Sequence, residues 1–410
     1  MLRAGLFLLF LAFIIIRPFL SSLATPELDT MYSWCLIFIC AALVKTALPP
    51  QNATHLRKTI LIPLVLFFAG VALSNFFSLA PERSLSELHK YLLAAVVFCA
   101  VFTCAAQEKT LLLFALIAGA GLVSLQAILW FFLGAKIFVK HLLVHNITYD
   151  FAFEFVGRQR AFVPFILPSA LGGYLIMLLP LCISMLRHYY KDEDSALLKR
   201  PLGNIVLLLP VLLCSAALIL TKAIGPLVSL LFGCMLYSIM RQRDYKYRVV
   251  LRAIILLSLV SVLIFVVRSY SGGYWRNPAF SAGQRQLYWL KTWLVIGQHP
   301  FTGVGLGNLP FVGSKFSHNS YLQIWAELGI VGFVALLGLV LAAIKIVREP
   351  PAPAQKMLHA GLGIAIFAFI LHNLVDFTFF LPEVAVFWWI TLGLIAPRAA
   401  ADTAGADSCF

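Results

Sequence analysis

Tyr321 to Ile346 reads YLQIWAELGIVGFVALLGLVLAAIKI. Apart from Glu327 and Lys345 the stretch carries no charge. As a helix rising about 1.5 Å per residue, it is long enough to cross a hydrocarbon core of about 30 Å. Runs of the same kind recur along the whole chain, and we expect spans at roughly 4–24, 30–47, 59–79, 88–105, 108–134, 166–187, 202–220, 226–241, 249–268, 321–346, 357–376 and 379–397. The composition agrees, with 12% charged and 61% hydrophobic residues and a mean hydropathy of +0.94, where a soluble domain carries about a quarter charged. No segment between the runs is long enough for a separate soluble domain. The expectation is an all-α membrane protein of about twelve transmembrane helices, one polytopic domain over residues 1–410.

Alternation of the spans assigns every loop a side. The loops around Lys45, Arg57 and Lys58, around Lys109, from Arg187 to Arg200, from Arg241 to Arg252 and from Lys345 to Lys356 fall on one side, together with Arg3 and Arg398. By the positive-inside rule that side is cytoplasmic, and both termini lie there. One missed or invented helix would invert the bias for the rest of the chain, and no inversion appears. The net charge of +14 is therefore mostly topological. No basic stripe is interleaved with exposed aromatics, so nucleic acid is not an expected partner. The apolar stretch behind Arg3 runs past a signal-peptide core and reads as a retained first helix. The cysteines, all but Cys409 inside apolar runs, read as small core hydrophobes. Asn52-Ala53-Thr54 and Asn146-Ile147-Thr148 read as chance sequons.

Two outside loops, about 135–165 and about 269–320, are longer than the rest, and the second, between spans nine and ten, is the only sizeable hydrophilic segment. Function is expected there. Within it, Gln284 to Ile296 (QRQLYWLKTWLVI) sets Leu287, Leu290, Trp293 and Leu294 near one face and Arg285 and Lys291 away from it, the pattern of an amphipathic helix on a membrane surface. The loop holds Arg276, Arg285, Lys291 and Lys315 and no Asp or Glu. That imbalance suits an anionic partner, either the phosphates of membrane lipids or a diphosphate substrate gripped by guanidinium forks. Arg158 and Arg160 close the other long loop and Lys222 follows span seven, so cations from three regions are expected on one face.

Metal-dependent sugar transfer needs clustered hard oxygen ligands, which this loop lacks. Neither a metal nor another cofactor is expected. His299 and His318 remain as candidate bases, since neutral imidazole is suited to take a proton from a hydroxyl. His318 is preferred because it lies where the loop re-enters the membrane, followed by Asn319 and a span. Gly303-Val304-Gly305-Leu306-Gly307-Asn308 follows no strand and reads as a flexible turn rather than a nucleotide loop. His372, Asn373 and Asp376, near the outer end of span eleven, read either as interhelical hydrogen bonding or as support for an acceptor site. Arg17 and Glu327 carry the same ambiguity.

Arg285 through Asn308 (RQLYWLKTWLVIGQHPFTGVGLGN), followed by His318-Asn319-Ser320-Tyr321-Leu322-Gln323 and Glu327-Leu328-Gly329, resembles the central signature of the bacterial O-antigen ligases, with the related O-antigen polymerases and protein O-oligosaccharyltransferases. Arg160-Ala161-Phe162 with Pro168, Leu171 and Tyr174-Leu175 through Pro180 is similar to the family's first-arginine segment, and His372 and Asp376 resemble its C-terminal hairpin. Where the family often has Thr-x-Ser-Arg-Gly after span seven, this chain has Thr221-Lys222-Ala223-Ile224-Gly225, so either Lys222 stands in for that arginine or the contact is missing. The resemblance implies a C-type glycosyltransferase fold in the bacterial inner membrane. It also implies metal-independent, inverting transfer of a glycan from undecaprenyl diphosphate to an acceptor on the periplasmic face. His318 is then the base and Arg160, Arg285, Lys222 and Arg158 hold the diphosphate, with Asn319, His299, His372 and Asp376 in support. The favoured acceptor is lipid A core; the chain's stopping soon after span twelve argues against a protein acceptor but hardly separates ligase from polymerase. A growing glycan or a protein hydroxyl is the alternative. From another class, a transporter of the same lipid-linked glycan would need charge and broken helices at a midplane cavity.

Overall fold

The computed structural model describes residues 2–47, 54–134, 136–137, 160–191, 201–241, 255, 278–309, 315–351 and 355–396. In chain order the helices are α1 (Leu2–Ile16), α2 (Pro26–Lys45), α3 (Thr54–Phe76), α4 (Pro81–Phe102), α5 (Ala106–Leu129), α6 (Pro168–Lys191), α7 (Pro201–Leu220), α8 (Ile224–Arg241), α9 (Pro278–Gln298), α10 (Ser320–Arg348), α11 (Lys356–His372) and α12 (Pro382–Ile395). No strand is formed among the described residues. α2, α4, α6, α7, α9 and α12 each begin on a proline. At a first helical position its fixed φ suits the helix and its missing N–H would have had no partner.

Seven helices among the described residues are long and apolar enough to cross a membrane. Shorter apolar helices, Ile60–Phe76, Ile205–Leu220, Lys356–His372 and Pro382–Ile395, fall at expected spans three, seven, eleven and twelve. Apart from Ile255, span nine lies outside the described residues. The centre is α6, with Tyr174, Leu175, Ile176, Met177 and Leu178 fully buried, faced by α11, α7 and, through Phe387 edge-on to Tyr174, α12. Large apolar side chains such as Phe38, Phe76, Ile219 and Leu341 are exposed at the periphery, which in water would be a liability and against lipid is not. With lipid tails as apolar as the helices, association relies on close packing. A Cβ at Gly70 of α3 would stand 2.9 Å from Gly332 Cα of α10, and one at Gly233 of α8 would stand 2.9 Å from Ala368 N of α11.

Two helices end earlier than their apolar runs. α1 stops at Ile16, ahead of Pro18, and gives way to a 3-10 turn whose Arg17 is buried against Asp29. α11 stops at His372. Asn373 then folds its side chain back, donating to Phe369 O (2.9 Å) and accepting from Phe379 N (2.9 Å), so Asp376 sits in a hairpin and not in a span.

α10 is broken at Gly329 (φ 66, ψ −171). The groups freed by the break are taken up by the segment after α9: Val304 N donates to Ala326 O (2.9 Å), Gly305 N to Glu327 O (3.1 Å), and Ile330 N to Pro300 O (2.9 Å). Asn308 closes the junction, its amide donating to Ser78 Oγ (2.8 Å), Ser84 Oγ (3.1 Å) and Val304 O (3.1 Å). The glycine-rich segment 303–308 is therefore not the flexible turn that its composition predicts. Gly303 has φ +70 and lies against the Glu327 backbone with no room for a Cβ, so its glycine serves close approach.

Candidate active site

α9 is a helix, as the spacing of Gln284 to Ile296 predicts, with Leu287, Leu290, Trp293 and Leu294 exposed together while Val295 and Ile296 are buried. It presents Tyr288 to the His318 ring, stacked at 5.6 Å and 21°, and Trp289 Nε1 donates to His318 O (3.4 Å). Phe377 meets the imidazole edge-on at 4.7 Å and 86°. His318 itself has φ +56, a left-handed conformation that a non-glycine residue keeps only when its surroundings over-determine it.

Those surroundings are a polar stitch. Asn319 Oδ1 accepts from Tyr321 N (3.0 Å) and Leu322 N (3.1 Å), capping α10. Ser317 Oγ donates to Asn319 O (2.7 Å) and accepts from Asn319 N (3.2 Å). Ser320 N lies within bonding distance of Asn373 O (2.9 Å) and Asp376 O (3.2 Å), and Ser320 Oγ donates to Asn373 Oδ1 (2.7 Å). The histidine is thus clamped between α9, the start of α10 and the α11–α12 hairpin. Its Nδ1 is buried without a hydrogen-bond partner among the described residues. Burial pushes its pKa below the ordinary imidazole range, Asp376 opposes that shift and Arg285 adds to it. The cause is thus burial first, and the neighbouring cation only in part.

Asp376 is the electrostatic centre of the site. Buried, with Oδ1 accepting from Phe377 N (2.8 Å), it holds Oδ2 at 3.8 Å from an Arg285 guanidinium nitrogen and 3.9 Å from His372 Nε2. Both separations are too long for hydrogen bonds, so Arg285 feels the carboxylate while its fork stays available. His372 is fully buried. Small residues make its place, since a Cβ at Gly173 of α6 would stand 3.1 Å from His372 Nε2 and one at Gly225 of α8 3.9 Å from Nδ1.

The other expected cations sit around the turn between α7 and α8. Arg160 Nε donates to Thr221 O (2.7 Å), and Ala161 N to Leu220 O (2.9 Å). Lys222 (φ 50) is exposed, its Nζ 5.7 Å from the centre of the Phe131 ring. Two of the three cation-bearing regions therefore share one turn, and Gly225, three residues on, abuts His372. Arg158 lies outside the described residues. His299 closes α9, its amide donating to Val295 O (3.0 Å) and its carbonyl accepting from Gly303 N (3.1 Å).

The long loop lacks acids of its own, but its cations meet acids from elsewhere. Lys315 pairs with Glu87 of α4 (2.6 Å), which also holds Lys90, and Arg285 faces Asp376. The apparent imbalance is thus partly answered across 228 residues of sequence. Arg17 and Glu327 resolve as well. Arg17 pairs with Asp29 and lies 3.9 Å from Glu383, while Glu327 accepts from Gln323 Nε2 (2.7 Å). Nothing in the spacing of Asp29, His89 and Glu383 signals that they share one buried cluster, in which His89 Nε2 stands 4.0 Å from Asp29. Among the described residues no group of three or more His, Cys, Asp or Glu is arranged to hold a metal.

No curated protein matches the chain. Residues 209–337 match a family model described as O-antigen ligase, a stretch that takes in Lys222, Arg285, His299, His318 and Asn319 and ends within α10. Over residues 209–337, which include the His318 loop and the helix carrying Arg285, this multi-pass membrane chain is similar to the O-antigen ligases, as its signature residues imply.

Proposed function

We propose that the chain is an O-antigen ligase, moving a glycan from undecaprenyl diphosphate to lipid A core on the periplasmic face of the inner membrane. It has twelve spans, both termini cytoplasmic, and loop 269–320 carries His318 and Arg285. The observation that carries this reading is the grouping of His318 and Arg285, both inside the segment similar to O-antigen ligases, around the Asp376 carboxylate. His318 takes the proton of an acceptor hydroxyl. That oxygen attacks the anomeric carbon from the face opposite the diphosphate, the carbon–diphosphate bond breaks, and configuration inverts. Charge develops on the departing diphosphate, where Arg285, Arg160 and Lys222, with Arg158, stabilise it. Asp376 keeps Arg285 aimed without occupying its fork, and His372 Nε2 stands 3.9 Å from the same carboxylate oxygen. The burial that lowers the His318 pKa keeps the imidazole neutral and able to accept a proton near neutral pH.

The loop after α9 also fits this reading over carriage of the lipid-linked glycan. The helix break at Gly329, a feature of carriers, is filled by segment 300–308. Deleting the gene and separating the cell's lipopolysaccharide by electrophoresis tests the assignment. Polymerised glycan left on its lipid carrier, with bare core, is the expected outcome. Single repeats on core would make the chain a polymerase, and unchanged lipopolysaccharide with unmodified protein would make it a protein glycosyltransferase.

A further inference from the structure

Behind the His318 loop, two buried polar side chains on α10 do no work in the transfer as described. Gln323 and Glu327, each 1% exposed, lie one turn apart on the same helix. Gln323 Oε1 accepts from Ser317 N (3.0 Å), and Gln323 Nε2 donates to Glu327 Oε1 (2.7 Å). The order of these bonds matters. A glutamine amide has an acceptor end and a donor end of nearly equal shape. Were it flipped, its NH2 would face the Ser317 N–H donor, leaving two donors opposed in a buried site. Glu327 holds the amide in this orientation, because its Oε1 accepts the Gln323 Nε2 proton. The backbone of Glu327 is itself fixed, its carbonyl accepting from Gly305 N (3.1 Å) and from Ser74 Oγ. An acidic side chain inside an apolar span is costly to insert, so Glu327 calls for a role.

Ser317 is the residue before His318, and the Ser317 amide bond sets where the left-handed turn at His318 begins. We propose that Glu327 and Gln323 form a positioning relay: Glu327 fixes the orientation of the Gln323 amide, and Gln323 fixes the Ser317 backbone and through it the His318 imidazole. Neither side chain touches substrate. The relay explains why the base stands on a strained residue without drifting. This inference rests on His318 being the base.

The test compares Gln323→Met, Glu327→Leu and Glu327→Gln in purified protein with undecaprenyl-diphosphate-linked glycan as donor, alongside His318→Ala. Gln323→Met and Glu327→Leu should lower kcat about tenfold to a hundredfold, the penalty of a base displaced by about 1 Å, with KM for donor unchanged. Glu327→Gln, whose amide oxygen still accepts from Gln323, should recover most of the rate. Placed in the His318→Ala background, Gln323→Met should cost nothing more, because it acts only through the imidazole. Full kcat in Gln323→Met, or an equal loss in both backgrounds, would overturn the relay and leave the base reading intact. Normal turnover in His318→Ala would overturn the base reading itself.

Discussion

The pair formed by Arg285 and Asp376 sets a quantity that can be measured. At 3.8 Å, opposite unit charges attract by about 4 kcal/mol at an effective dielectric of 20. The Arg285 side chain is 30% exposed while that of Asp376 is only 2% exposed, so solvent screening draws the figure down toward the roughly 1 kcal/mol of surface pairs. We expect about 2 kcal/mol of coupling. The perturbation is a double-mutant cycle of Arg285→Gln, Asp376→Asn and their combination, read by equilibrium unfolding in mixed micelles. Asp376→Asn keeps an oxygen for Phe377 N and isolates the charge. Arg285→Lys adds the functional contrast, since it should keep most of the coupling yet transfer poorly, because a point charge cannot grip a diphosphate with two parallel bonds. Coupling below about 0.5 kcal/mol would refute the electrostatic link, and full transfer by Arg285→Lys would refute the need for a fork.

The pH profile should reflect the buried imidazole. Burial disfavours the charged form, so the rate should hold through neutral pH and fall only on the acid side, below the usual imidazole range. Asp376→Asn, by removing the one charge that raises the His318 pKa, should move that limb to still lower pH, and a shift toward neutral pH would contradict the assignment. Asn319→Ala deletes an N-cap that satisfies two amides of α10 and should lower stability by about 1 kcal/mol, while Asn319→Asp, an equally good cap, should restore it. Equal stability of all three would show the cap to be idle. Excess EDTA should leave the transfer rate unchanged, and loss of activity restored by Mg²⁺ would show a metal dependence.

What the sequence discloses and what it hides divide along physical lines. Apolar runs disclose the helices because lipid admits little else, and the prolines at Pro26, Pro81, Pro168, Pro201, Pro278 and Pro382 mark starts more sharply than hydropathy does. The His318–Asn319 step is legible because a cap residue after a loop histidine at the edge of an apolar run is a local pattern. The partners of the loop cations are not legible. Lys315 with Glu87 and Arg285 with Asp376 come from distant parts of the chain, and only the packing of α4, α9 and the α11–α12 hairpin joins them. Nor does composition tell a mobile glycine turn from a packed one. Gly303 and Gly329 hold φ values of 70 and 66 to bring segment 300–308 against the break in α10, a constraint set by what lies opposite them.

The most direct test of the central claim is single-turnover transfer by purified His318→Ala, with binding of undecaprenyl diphosphate measured on the same preparation. Loss of a general base is worth roughly 10²–10⁴-fold in rate, and the arginines proposed to hold the diphosphate are untouched. The account predicts a fall of that size in turnover with donor binding unchanged. Near-normal turnover by His318→Ala, above all if His299→Ala lost it instead, would contradict the account and move the base to the end of α9.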